Sequence, residues 1–214
     1  MITIQQSSAE AVSSLLLEIG AIRLSPEKPF TWSSGWKSPV YCDNRLTLSY
    51  PEKRSLIRDW LSEAVRKNFP HAECIAGVAT AGVPQGALVA DQLQLPYVYV
   101  RPKPKDHGMQ NLIEGKVVPG QKVVLIEDLI STGGSSIKAA EALRDAGVKV
   151  EGMAAIFTYG FPTAEENFNN AKIPLVCLSD FKHLIDQAVK SGYMKQEQLE
   201  LVSKWRENPA EWKP

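Results

Sequence analysis

Val123-Val124-Leu125-Ile126-Glu127-Asp128-Leu129-Ile130-Ser131-Thr132-Gly133-Gly134-Ser135-Ser136 is the stretch that decides the fold. Its four leading apolar residues predict a buried strand. Two adjacent carboxylates close the run, a turn of hydroxyl and glycine residues follows, and Gly134 to Ala146 carries a helical pattern. A strand-to-helix turn of this composition offers backbone N–H groups, hydroxyl donors and the positive end of a helix dipole, which together suit a phosphate monoester. Gly133 and Gly134 allow the close backbone approach that wrapping a phosphate requires. Glu127 and Asp128 would repel a phosphate placed directly on them. They suit a ligand that carries hydroxyls beside its phosphate, because carboxylates accept hydrogen bonds from a ribose diol. Either carboxylate also suits a cation developing on the ribose. The Gly-Lys-[Ser/Thr] of a P-loop and the Gly-x-Gly-x-x-Gly of a dinucleotide fold are both missing.

Outward from this segment, apolar runs alternate with helical patterns. Helices are predicted over Tyr50 to Phe69, Val83 to Leu93 and Pro162 to Ala171, and strands over Cys74 to Ala79, Tyr97 to Val100, Val123 to Ile126, Val148 to Thr158 and Leu175 to Leu178. This alternation indicates an α/β protein with a parallel sheet flanked by helices, whose ligands bind at the carboxyl ends of the strands. The ends of the chain read differently. Ser7 to Gly20 is helical, Ala21 to Leu46 is a series of short strands and turns, and Phe181 to Lys190 and Gln196 to Arg206 are terminal helices. We expect a single domain over residues 1–214, with a core of about 50–180 and a small cap, or hood, from about 1–48 plus the C-terminal helices.

Lys plus Arg and Asp plus Glu number 24 each, so no global field gathers nucleic acid or anionic lipid. Cys42, Cys74 and Cys177 are scattered and odd in number, which suggests neither a zinc site nor a disulfide framework. The first residues lack the basic start and apolar run of a signal peptide, and no apolar stretch is long enough to span a bilayer. A cytoplasmic location is expected.

Against this neutral background, Arg101-Pro102-Lys103-Pro104-Lys105-Asp106-His107-Gly108 concentrates positive charge after a predicted strand. Its prolines argue against a helix or a central strand, and a long polar loop in a compact α/β domain suits a lid. Such cations would stabilise a leaving pyrophosphate, which gains charge as its bond breaks, more than they stabilise the ground state.

The segment Val123 to Ser136 resembles the phosphoribosyl pyrophosphate (PRPP) motif of type I phosphoribosyltransferases. The run Arg101-x-x-x-Lys105-x-His107-Gly108, ending in Leu112-Ile113-Glu114-Gly115, is similar to the mobile loop of orotate phosphoribosyltransferases. Phe30 to Arg45, with its Ser34-Gly35-x-Lys37-Ser38-Pro39 core, resembles the N-terminal cap of the same family.

The resemblance implies transfer of ribose 5-phosphate from PRPP to orotate, giving orotidine 5′-monophosphate and pyrophosphate, with Mg²⁺ held mainly by substrate and no metal site of the protein's own. It implies that Glu127, Asp128, Leu129, Ile130, Ser131, Thr132, Gly133, Gly134 and Ser135 hold PRPP. Arg101, Lys105 and His107 would meet the pyrophosphate, with Lys105 and Asp128 catalytic and Lys103, Thr80, Ala81 and Gly82 as further candidates. Ser131, Tyr41 and Cys42 would face orotate. A homodimer is implied, with the Arg101–His107 loop reaching the neighbouring subunit's site. The rival readings are a phosphoribosyltransferase for a purine base and a PRPP-sensing regulator.

Overall fold

The computed structural model describes residues 2–32, 35–103 and 112–212. It opens with β1 (Ile2–Ile4) and α1 (Ala9–Glu18), followed by the short strands β2 (Ile22–Leu24), β3 (Phe30–Thr31), β4 (Lys37–Ser38) and β5 (Val40–Cys42). A 3-10 turn (Asn44–Ser49) leads into α2 (Pro51–Asn68). The alternating part then runs β6 (Cys74–Val78), α3 (Gly82–Leu93), β7 (Tyr97–Val100), β8 (Ile113–Glu114), β9 (Lys122–Ile130), α4 (Gly134–Asp145), β10 (Lys149–Thr158), α5 (Pro162–Asn170) and β11 (Leu175–Asp180). Helix α6 (Phe181–Lys190), a second 3-10 turn (Gln196–Gln198) and α7 (Leu199–Glu207) complete the described chain.

Local chemistry explains these boundaries. Pro51 occupies the first turn of α2, where its missing N–H costs nothing, and Arg66 and Lys67 lie in the last turn, where the dipole favours cations. The Asp180 side chain accepts a hydrogen bond from His183 N at 2.9 Å and so caps α6. All five residues of β6 are buried, as expected of a strand covered on both faces.

Seven strands make one sheet in the order β1-β11-β10-β9-β6-β7-β8, parallel except for the β7–β8 pair. β9 is therefore bonded on both sides, which fixes where its carboxyl end points. From Val123 to Ile126 the side chains of β9 alternate between two apolar clusters: Val124 and Ile126 pack with α1, α2 and α6 residues, Val123 and Leu125 with α4 and α5 residues.

Two features depart from the sequence reading. Ile2–Ile4 were expected in the cap, but they pair with Leu175–Cys177 and form an edge of the main sheet. The strand expected over Val123 to Ile126 continues to Ile130, because Glu127, Leu129 and Ile130 keep ladder partners in β10. The hood itself consists of two small antiparallel pairs, β2–β5 and β3–β4.

α7 fastens this hood to the core through Trp205, which is fully buried. Its ring lies 5.6 Å from those of Trp32, Tyr159 and Phe161, and its Nε1–H donates to the Lys37 carbonyl at 3.2 Å. We expect Trp205→Ala to lower unfolding stability by about 3–5 kcal/mol. Urea unfolding followed by circular dichroism measures this, and a loss under 1 kcal/mol would contradict the anchoring role.

Candidate active site

Because β9 runs through the acidic pair, Glu127 and Asp128 are held by the sheet and not by a loop. Glu127 continues the side of Leu125 toward α4 and is only 6% exposed. Its Oε2 accepts from Ser136 Oγ at 3.1 Å, and its Oε1 accepts from the Asp128 N–H at 3.0 Å. Burial, and then the charge of Asp128, push the Glu127 carboxyl well above the usual range. Burial also raises Asp128, against hydrogen bonds and the nearby charge of Arg45, which lower it.

The backbone of Asp128 is held from the opposite side of the sheet. Asn44 Nδ2 donates to the Asp128 carbonyl at 2.6 Å, while Asn44 Oδ1 accepts from Cys42 Sγ at 3.3 Å. Thr47 Oγ1 donates to the Asn44 carbonyl at 2.6 Å and accepts from Gln85 Nε2 at 3.0 Å. Asn44, Thr47 and Gln85 are all buried, so a chain of polar contacts links α3, the 3-10 turn and the end of β9. The sequence reading missed Asn44, although it lies within the quoted cap segment. Its importance comes from a partner 84 positions away.

The phosphate turn is shorter than the sequence suggested, because β9 takes Leu129 and Ile130. Only Ser131, Thr132 and Gly133 separate strand from helix. Gly133 has φ of +81°, and a Cβ there would lie 2.5 Å from Phe168 of α5. No side chain caps α4. Its first N–H groups have no partner inside the helix and stand open to an acceptor. A side chain at Gly134 would meet nothing, so the space above the helix start is clear. α5 holds the turn from below, with Asn167 Nδ2 donating to the Thr132 carbonyl at 2.9 Å. The Ile130 side chain is buried, so its place in the site is through the backbone.

Beside the turn is a cavity of about 650 Å³ lined by Thr31, Trp32, Trp36, Tyr41, Cys42, Leu129, Ser131, Thr132 and Tyr159. The structure thus brings the expected base-side residues Tyr41, Cys42 and Ser131 together. It adds three aromatic walls that were not singled out: Trp32 and Trp36, with ring centroids 6.5 Å apart, and Tyr159 after β10. The signal for Tyr159 was available, since it follows an apolar run at the sheet's carboxyl edge. Burial raises the Cys42 thiol and the Tyr159 phenol, with the Asp128 charge adding to both, so these walls are uncharged near neutral pH.

A second cavity, also about 650 Å³, contains Ala79, Arg101, Pro102, Gly134 and Ser135 in its lining. It shares the helix start with the phosphate turn and brings in the residue before the Thr80–Gly82 loop. Gly82 is buried there, and a Cβ on it would strike the Ile126 carbonyl, so α3 begins in direct contact with β9. Arg101 begins the cationic stretch, with its N–H donating to the Leu112 carbonyl at 2.8 Å and its guanidinium 3.5 Å from Glu114. Lys103 is described and exposed; the expected roles of Lys105 and His107 fall outside the described residues.

A carboxylate pair near the carboxyl end of an interior strand, a helix start free to receive phosphate and an aromatic chamber beside the turn that joins them describe a phosphoribosyl-transferring enzyme. Residues 49–185 match the phosphoribosyl transferase domain family. Over 198 residues the chain is 63% identical to the orotate phosphoribosyltransferase of Cytophaga hutchinsonii, covering 92% of this chain and 95% of that protein. The orotate phosphoribosyltransferase structure from Aeropyrum pernix superposes with a TM-score of 0.74 at 31% identity, covering 86% of this chain and 99% of that one. The Leishmania donovani UMP synthase structure matches with a TM-score of 0.77 at 25% identity over 92% of this chain, which spans 42% of that longer chain. The chain belongs to the orotate phosphoribosyltransferase family.

The Glu127 environment has a consequence for stability. In the unfolded chain this carboxyl ionises near 4.5, whereas the folded protein holds its proton to higher pH. Above about pH 4.5 the folded state therefore holds more protons than the unfolded chain, and stability falls with rising pH until the folded group ionises. Glu127→Gln should flatten this decline, so that the ligand-free variant gains stability relative to the wild type as pH rises. Thermal melting from pH 5 to 9 tests this; parallel curves for the two proteins would count against it.

Proposed function

We propose that this chain performs its family's reaction, orotate plus PRPP giving orotidine 5′-monophosphate and pyrophosphate, through the groups assembled at the carboxyl end of β9. The observation that carries this reading is that Ser131 and Thr132 belong both to the phosphate turn and to the wall of the aromatic cavity. A sugar phosphate in the turn would present its anomeric carbon to a flat base in that cavity. Relatives at this level of identity are named for orotate, which disfavours the purine and sensor alternatives.

The 5-phosphate takes the backbone donors of Thr132 to Ser135 and the dipole of α4. The ribose diol faces Glu127 and Asp128, whose hydrogen-bond acceptance grows in value as positive charge develops on the ribose. Glu127 already accepts from Ser136 and the Asp128 N–H, and the ribose hydroxyls would add donors that offset more of its burial cost and tie its ionisation to binding. Orotate enters between Tyr41 and the other aromatic walls, with the Ser131 hydroxyl at its edge. The pyrophosphate lies toward Thr80, Ala81, Gly82 and Arg101, with Lys103, Lys105 and His107 closing over it. Lysine and arginine there act on the leaving group as its charge grows.

No group of three potential ligands lies together among the described residues. Mg²⁺ would arrive on PRPP oxygens and supply neutralisation of the diphosphate, with Glu127 and Asp128 as the carboxylates at the end of β9. No helix among the described residues is long and apolar enough to cross a membrane. We place the enzyme in the cytoplasm, as a homodimer whose Arg101–His107 loops serve the neighbouring site.

Loss of orotate absorbance in the presence of PRPP and Mg²⁺ tests the reaction directly. Lys105→Ala should lower kcat by about 100-fold or more, as loss of a transition-state charge contact does. Mixing it with Asp128→Asn should regenerate part of the activity once hybrid dimers form. An unchanged kcat for Lys105→Ala would remove that residue from the mechanism, and inactive hybrids would remove the shared loop.

A further inference from the structure

Orotate differs from uracil by one carboxylate, and the cavity that would receive it presents aromatic, hydroxyl and thiol groups but no charge along its wall. Four cationic side chains among the described residues contact that wall or its immediate neighbours, and three are already committed. Arg45 is held on both oxygens of Asp43, at 2.7 and 3.0 Å. Arg206 gives its Nε to the Tyr159 carbonyl and its Nη2 to that of Gly160. Arg23 lies across the Tyr41 ring, 4.9 Å from its centroid, and 5.6 Å from that of Phe30.

Lys37 is different. Its Nζ donates to Thr31 Oγ1 at 2.8 Å, a neutral partner that is itself part of the cavity wall. Lys37 and Thr31 are direct cross-strand partners of β3 and β4, so their side chains share one face of the hairpin. The ammonium keeps two more donors and forms no ion pair with a carboxylate of the described residues. Its backbone is fixed from two directions. Trp205 Nε1 donates to its carbonyl at 3.2 Å, and Trp32 N donates to the Trp36 carbonyl at 2.9 Å to close the hairpin. A flexible lysine is thereby tethered at the mouth of an otherwise uncharged chamber.

We propose that Lys37 receives the carboxylate of orotate and so sets the preference for orotate over uncharged pyrimidines. This rests on the cavity being the base site. An unpaired carboxylate entering a low-dielectric chamber loses hydration, and a charge-assisted hydrogen bond from a cation at the rim replaces it more strongly than the neutral hydroxyls of the wall. C-terminal helix α7 has a part in this, since it pins the strand that carries the lysine.

The test compares kcat/KM for orotate and for 5-fluorouracil, a pyrimidine without the carboxylate, in the wild type, Lys37→Gln, Lys37→Arg and Arg23→Gln. For Lys37→Gln we expect orotate kcat/KM to fall about 10- to 100-fold, mainly through KM. The 5-fluorouracil value and the KM for PRPP should stay within about twofold, and Lys37→Arg should restore most of the orotate preference. An equal loss on both bases, or a selective loss only in Arg23→Gln, overturns the proposal. So does an unchanged orotate KM in Lys37→Gln. A wild type that turns over neither base would instead overturn the proposed reaction.

Discussion

Everything at the site depends on how the chain leaves β9. The strand is bonded on both sides, runs through two carboxylates, and must reverse within three residues into a helix packed beneath the sheet. Gly133 makes this possible by taking a positive φ directly against the ring of Phe168. Any side chain there would meet both an unfavourable backbone region and a buried aromatic. The reward for this tight turn is positional. The open N–H groups of α4 lie a few residues beyond Glu127 and Asp128, with no side chain filling the space at Gly134.

The electrostatics follow from the same geometry. A sheet centre is a poor place for carboxylates, and burial raises both of them. They persist because each is locally supported, Glu127 by Ser136 and the Asp128 N–H, and the Asp128 backbone by Asn44. A group kept away from its preferred ionised state until a ligand supplies hydroxyls is suited to responding to that ligand. With no net charge to build a broad field, any anion binding is left to local groups such as the turn and the helix start.

The hood shows how two distant parts of the chain make one wall. Thr31, Trp32, Trp36, Tyr41 and Cys42 reach the cavity from β3–β5 and the turn between, while Tyr159 comes from the end of β10. Trp205, from α7, packs behind them against Trp32 and Tyr159. The family match over residues 49–185 takes in the phosphate side and stops short of the hood strands and α7. The cavity wall draws on both sides of that boundary: Thr31, Trp32, Trp36, Tyr41 and Cys42 lie outside the matched segment, and Leu129, Ser131, Thr132 and Tyr159 lie within it.

The sequence by itself determined the alternating α/β core and the strand-turn-helix that carries the acidic pair, because continuous apolar runs and a Ser-Thr-Gly-Gly turn are local signals that strand and helix physics read directly. The family resemblance of the cap and turn segments implied that Tyr41, Cys42 and Ser131 face the base, and the structure gathers the three along one cavity. The sequence could not determine that Ile2–Ile4 join the sheet, since three residues carry no periodicity and their pairing is set by β11. Nor could it extend β9 past its two carboxylates, a position where propensity argues against a strand and ladder bonds to β10 overrule it. Asn44 and Trp32 acquired their meaning only in three dimensions. Each acts through a partner that the backbone brings within reach, and a hydrogen bond or ring contact between remote residues leaves no periodic mark in the chain that encodes it.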